Sequence, residues 1–182
     1  MSWSPIATEY DPLAVGSIDG TDKEPHDMGV VRALNSEYVP QTHLSSKPDC
    51  TVFVGRLHPK VTSDELEDIF KEFGKVKRCR VVRDLVTGFS KQYGFVEFEK
   101  ESQADRAYRK GHKSLIRGLE VIVDREHGRT MKGWKPRRLG GGFGGRKESG
   151  QLRFGCRDRP WRPPILPEMD DCKNTIKNRD NR

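Results

Sequence analysis

The chain of 182 residues holds no apolar run near the roughly 18 residues that a membrane-spanning helix needs, so none is expected. The opening stretch, MSWSPIATEYDPLAVG, lacks both a basic start and a continuous apolar core, and it does not read as a secretory leader. Cysteine is sparse: Cys50, Cys79, Cys156 and Cys172 are far apart, no CxxC pair exists, and no two histidines have finger spacing. That argues against a zinc site and points to reduced thiols of a nuclear or cytosolic chain. The five histidines, His26, His43, His58, His112 and His127, are scattered, and no glycine-rich phosphate loop follows a strand. No catalytic set, cofactor site or metal site is expected. Hydrophobic residues make up 33% of the chain and charged residues 34%, too polar for one core to span it.

What is present is basic charge, unevenly placed. The net charge is +7 and the isoelectric point about 9.3. Residues 1–49 carry −5, residues 50–125 carry +4 and residues 126–182 carry +8. Eleven basic and three acidic residues lie within 126–162. Such a balance favours an acidic partner, nucleic acid before a membrane surface.

The middle of the chain has the periodicity of a compact domain. CTVFVGRL (50–57) is rich in β-branched and aromatic residues and reads as a strand. Thr62 and Glu65 have capping-box spacing, Leu66, Ile69, Phe70 and Phe73 form one helical stripe, and Gly74 is placed to end it. Further strands are predicted over 76–84, 91–98 and 119–124, with a helix over 101–110 whose inner face is Ala104, Ala107 and Tyr108. The order β-α-β-β-α-β predicts an α+β, ferredoxin-like sandwich: a four-stranded antiparallel sheet and two helices, flanked by largely irregular tails. The boundaries expected are an acidic extension over 1–49, the domain over 50–125, a basic Gly/Arg-rich extension over 126–165 and a disordered end over 166–182.

Alternation then separates two faces of the sheet. Gly94, Val96 and Phe98 share one face with Val52 and Val54, suited to packing under helices. Phe53, Tyr93 and Phe95 fall on the other, with Lys91 beside them. Three large aromatics on an open face suit stacking on unpaired bases, with Lys91, Arg78 and Arg80 placed for phosphates. VFVGRL and KQYGFVEF resemble the paired ribonucleoprotein motifs of the RNA recognition motif, the RRM. Two positions depart from that pattern: Gln92 stands where glycine is usual, and Arg56 where asparagine is common.

The flanks narrow the resemblance. DREHGRTMKGWKPRRLGGGFGG is similar to the segment after the RRM in the seventy-kilodalton protein of the major spliceosome's five-prime splice-site particle. WSPIATEYDPLAVGSIDGTDKEPHD, RDLVTGFSK and ESGQLRFGCRDRPW resemble the family's minor-spliceosome, thirty-five-kilodalton branch, over residues 3 to 165. Beyond that, EMDDCKNTIKNRDNR departs from the family's Arg-, Glu- and Asp-rich tail. The resemblance implies a nuclear, non-enzymatic protein that binds a small nuclear RNA stem-loop and assembles with other snRNP proteins. A generic single-RRM messenger-RNA-binding regulator, or an RRM-like protein-interaction module, are the alternatives.

In the basic extension, Arg129, Lys132, Lys135, Arg137 and Arg138 are candidates for phosphate contacts and Trp134 for stacking. The glycines over 140–145 would let backbone approach RNA closely, the strip being mobile alone and ordered when bound. In the acidic N-terminal segment, Asp27 is placed to cap a short helix near 28–38, and Met28, Val31 and Leu34 are candidates for docking other snRNP proteins.

Overall fold

A computed structural model describes residues 3–41 and 44–165. The expected disordered end over 166–182, with Cys172, and also His43, lie outside the described residues. Two short helices come first: α1 (Pro12–Gly16), capped by Asp11, and α2 (Met28–Asn35), capped by Asp27 as its position predicts. The central domain then runs β1 (Thr51–Gly55), α3 (Ser63–Phe70), β2 (Val76–Arg83), β3 (Ser90–Phe98) and α4 (Glu101–Lys110). It continues through β4 (Leu115–Ile116), β5 (Leu119–Glu120) and β6 (Ile122–Arg125), and α5 (His127–Thr130) follows.

The main sheet has the order β2-β3-β1-β6, and β1 pairs antiparallel with both β3 and β6. One of its faces carries the core: Val52, Val54, Val96, Phe98 and Val123 meet Leu66, Phe70, Phe73, Ala104 and Ala107 from the helices. Thr62 caps α3 through the Glu65 N–H at 3.2 Å, but the capping box is only half made. The Glu65 carboxylate turns away to Arg117, at 2.8 and 2.9 Å, a long-range charged partner that outcompetes its local one. The strand predicted over 119–124 is broken at Val121, whose backbone bonds Ser114 and Lys113. Leu119 and Glu120 therefore join a separate hairpin, and only Ile122–Arg125 reaches β1. Tyr108 lies at the flank of α4 rather than in the core, under the guanidinium of Arg157 at 4.1 Å.

The acidic segment and the basic extension fold on each other. Tyr10 N–H donates to Lys132 O at 2.9 Å, Ala7 N–H to Gly155 O at 2.8 Å, and Trp161 N–H to Pro5 O at 2.8 Å. Tyr10, His127, Trp134 and Phe143 form an aromatic cluster with ring centroids 5.0 to 5.4 Å apart. Burial pushes the Tyr10 phenol above its ordinary range, and its hydroxyl donates to Gly142 O at 2.7 Å. At the centre lies Arg153, 1% exposed, paired with Asp27 at 2.8 and 3.0 Å and bonded to Gly140 O. Of the docking candidates on α2, Met28 and Leu34 face outward and Val31 is half-buried, while Gly29, Val30 and Ala33 form the buried face. The segment's first partner is its own chain.

The glycine run has a structural cause within this layer. Gly140 has φ +88°, and a Cβ there would overlap the carbonyl of Gly29, on whose backbone it packs. Gly140→Ala is expected to destabilise the layer by roughly 2 kcal/mol or more, combining left-handed strain with overpacking. Thermal melts of the purified chain check this; an unchanged Tm would contradict the close packing.

Candidate nucleic-acid interface

The three aromatics predicted on the open face meet there. Phe53 and Phe95 are register partners, and Gly55 sits opposite Tyr93 on the same strand pair. Their ring centroids are 5.7 Å (Phe53–Tyr93), 5.7 Å (Phe53–Phe95) and 6.1 Å (Tyr93–Phe95) apart, and each ring is half-buried. Gly55 leaves room for the Phe53 ring, which a Cβ would meet at 2.9 Å. Directly opposed residues of an antiparallel pair share a face. Arg80 opposes Phe95 and Arg78 opposes Glu97, so both exposed guanidiniums border the aromatic patch from β2. Lys91 lies across the hairpin, with Nζ 3.9 Å from Asp84.

The two departures from the RRM pattern share one backbone property. Gln92 has φ +61° and Arg56 φ +60°, the left-handed region that glycine and asparagine adopt most readily. The fold keeps the geometry and places a side chain there against preference. At Gln92 the turn breaks strict alternation, so Lys91 does not follow from Tyr93 by parity. Arg56 uses its position to reach Asp158 in the extension at 2.8 Å, tying the end of β1 to the second layer.

The extension's candidates divide into two groups. Arg129 is held by Glu126 at 2.6 and 2.8 Å and donates to Ser46 O at 2.8 Å. Arg137 donates to Phe143 O at 2.7 Å and to Gln151 O, and burial with Arg153 nearby holds its pKa below the usual guanidinium range. Lys135 donates to Ser36 O, and Trp134 packs between Tyr10 and Phe143. These four are all engaged by internal partners. Lys132 and Arg138 differ: Lys132 makes an exposed pair with Glu9, and Arg138 makes no side-chain hydrogen bond among the described residues. The strip expected to be mobile alone is folded here: Ser36 O, Ser46 O and Glu9 of the N-terminal segment take Lys135, Arg129 and Lys132, while Glu126, Phe143 O and Gln151 O within the extension take Arg129 and Arg137.

A third element lies over one end of the sheet. The Arg78 Nη1 donates to Ser45 Oγ at 2.5 Å, and the Lys47 N–H donates to Glu97 Oε1 at 3.1 Å. Glu97 is 3% exposed and also accepts from Lys77 Nζ at 3.2 Å. Sequence reasoning missed Ser45 and Ser46 as neighbours of the aromatic face. It also missed Tyr10, Phe143 and Arg153, which carry no local periodicity.

The RNA recognition motif family model matches residues 52–129, the sheet domain together with α5. A Danio rerio relative named U11/U12 small nuclear ribonucleoprotein 35 kDa protein is 52% identical, the alignment covering 100% of this chain and 90% of that one. The chain belongs to the U11/U12 small nuclear ribonucleoprotein 35 kDa protein family. The Homo sapiens member of that family is 55% identical over 90% of this chain and 66% of its own length. A U1 small nuclear ribonucleoprotein 70 kDa homolog of Schizosaccharomyces pombe is 42% identical over 64% of this chain and 46% of its own. Likeness to the 35 kDa family therefore runs past the RRM into both flanking segments, which pack on one another.

Proposed function

We propose that this chain is an RNA-binding component of a minor-class spliceosomal particle. In this role it holds the small nuclear RNA that pairs with the five-prime splice site, at its five-prime stem-loop, within the nucleus. The carrying observation is the patch of Phe53, Tyr93 and Phe95 on the uncovered sheet face, bordered by Arg78 and Arg80. Loop bases stack on the rings, and Arg78, Arg80 and Lys91 meet the phosphates. The names of the 35 kDa relatives support the particle assignment. Lys132 and Arg138 supply outward charge from the extension, while Arg129, Trp134, Lys135 and Arg137 set its shape and join the RNA where their internal partners give way. The outward residues Met28 and Leu34 are left for other proteins of the particle.

Tyr93→Ala is expected to weaken stem-loop binding by roughly 1–3 kcal/mol, about 5- to 150-fold in Kd, with little change in Tm. A large Tm drop with unchanged affinity would return the ring to the core. RNA immunoprecipitation separates the reading from a messenger-RNA regulator: one small nuclear RNA is expected, and a broad set of transcripts would refute it.

A further inference from the structure

We propose that Ser45 is a phosphorylation site whose phosphate closes on Arg78 and competes with RNA for it. This rests on the reading of the sheet as an RNA surface. Ser45 is exposed and in no helix or strand, so a kinase can reach it. Its backbone is nonetheless held in place. On its C-terminal side Ser46 O accepts from Arg129 at 2.8 Å and Lys47 N–H is bonded to Glu97 at 3.1 Å. Together these present the Ser45 hydroxyl to Arg78 at 2.5 Å. The Arg78 side chain is 57% exposed, so its guanidinium can turn to take a bidentate phosphate.

Ser46 is the poorer acceptor. Its Oγ meets Arg129 at 3.0 Å, a guanidinium already held by Glu126, and a phosphate there would face that carboxylate. Around Ser45 the opposing charge is Glu97, whose Oε2 lies 3.9 Å from Arg78 Nε, is buried and has no hydrogen-bond partner. Glu97 Oε1 is engaged by Lys77 and Lys47 N–H, which spreads its charge. In the modification, Ser45 Oγ attacks the γ-phosphorus of a nucleoside triphosphate bound to a protein kinase. The Oγ–P bond forms and the bond to the bridging oxygen breaks. The nucleoside diphosphate leaves with that electron pair, and the hydroxyl proton passes to the kinase's base. The product carries roughly −1.5 to −2 charge at neutral pH, beside a guanidinium that borders the aromatic patch.

The test uses the full chain phosphorylated at Ser45, with and without Arg78→Ala. Phosphorus NMR should show the phosphate's second pKa below its usual value of about 6, returning upward in Arg78→Ala. The RNA probe is the five-prime stem-loop. Phosphorylation should weaken its binding roughly tenfold, the loss of one charge-assisted contact, and reduce the salt slope by about 0.7. In Arg78→Ala the phosphate should cost less than about threefold, since the contact is already gone. An unshifted phosphate, or an equal cost in both backgrounds, overturns the proposal. Unmodified Arg78→Ala binding RNA as tightly as the parent would instead overturn the RNA role of Arg78. The phosphorus shift would then still report whether the clamp forms. Mass spectrometry of the chain from cells should find phosphate on Ser45; its absence from fully recovered peptides also refutes the assignment.

Discussion

Asp27→Ala is expected to destabilise the layer joining the N-terminal segment to the basic extension by roughly 3–5 kcal/mol. Removing one partner of a buried ion pair leaves the other charge desolvated, and Arg153 is 1% exposed. Asp27 also caps α2 through the Val30 N–H at 2.8 Å, and that bond disappears with it. The loss should be local. Hydrogen exchange at the amides of Tyr10 and Phe154, which bond across the two segments, should accelerate sharply. Amides of Val54 and Val96 in the central sheet should remain protected. Asp27→Asn retains a capping oxygen and should fall between parent and alanine variant.

The same pair sets a pH window. Burial pushes the Asp27 carboxyl upward, but hydrogen bonds from Arg153 and the Val30 N–H outweigh it and hold the carboxyl below its ordinary 3.8. A group depressed on folding contributes stability above its unfolded value and loses it as pH falls through the folded value. The contribution should therefore be complete at neutral pH and vanish only below about pH 4. Asp27→Asn should lack that portion of the acid transition. An acid profile identical to the parent's would contradict the pairing.

The second large effect concerns charge. Lys132→Gln combined with Arg138→Gln is expected to reduce the slope of log affinity against log salt by about 1.4, at about 0.7 per single-stranded phosphate contact. Over a tenfold rise in salt the parent would then lose about 25-fold more affinity than the variant. Melting temperature should hardly move, because the Lys132 pair with Glu9 is exposed and Arg138 has no side-chain hydrogen bond among the described residues. A flexible linker that never meets RNA predicts the same slope for both chains. Arg129→Gln provides the contrast. It breaks the contacts to Ser46 and Glu126 and should lower stability whatever RNA is present.

The sequence by itself determined the central domain, because the forces there act over short spacings. Alternation in KQYGFVEF separated Val96 and Phe98 from Tyr93 and Phe95, and a helical stripe placed Leu66 and Phe70 inward. Gln92 and Arg56 stood out as departures, but only backbone dihedrals gave the reason. The break at Val121 was not legible, since a two-residue hairpin and a strand share the same alternation. Tertiary structure alone decided what the flanks do. Arg129, Lys135 and Arg137 look like free phosphate ligands in a glycine-rich strip, and an isolated strip would leave them so. Arg129 and Lys135 find Ser46 and Ser36, 83 and 99 residues away in the N-terminal segment, while Arg137 finds Phe143 and Gln151 as the extension folds back on itself. Arg153 shows the limit most plainly. In LRFGCRDRP it is one arginine among three. Only the approach of Asp27 and Gly140 O turns it into a buried charge with its hydrogen bonds met. Periodicity carries no information about which distant carboxylate will neutralise a cation, and that choice falls to the packing.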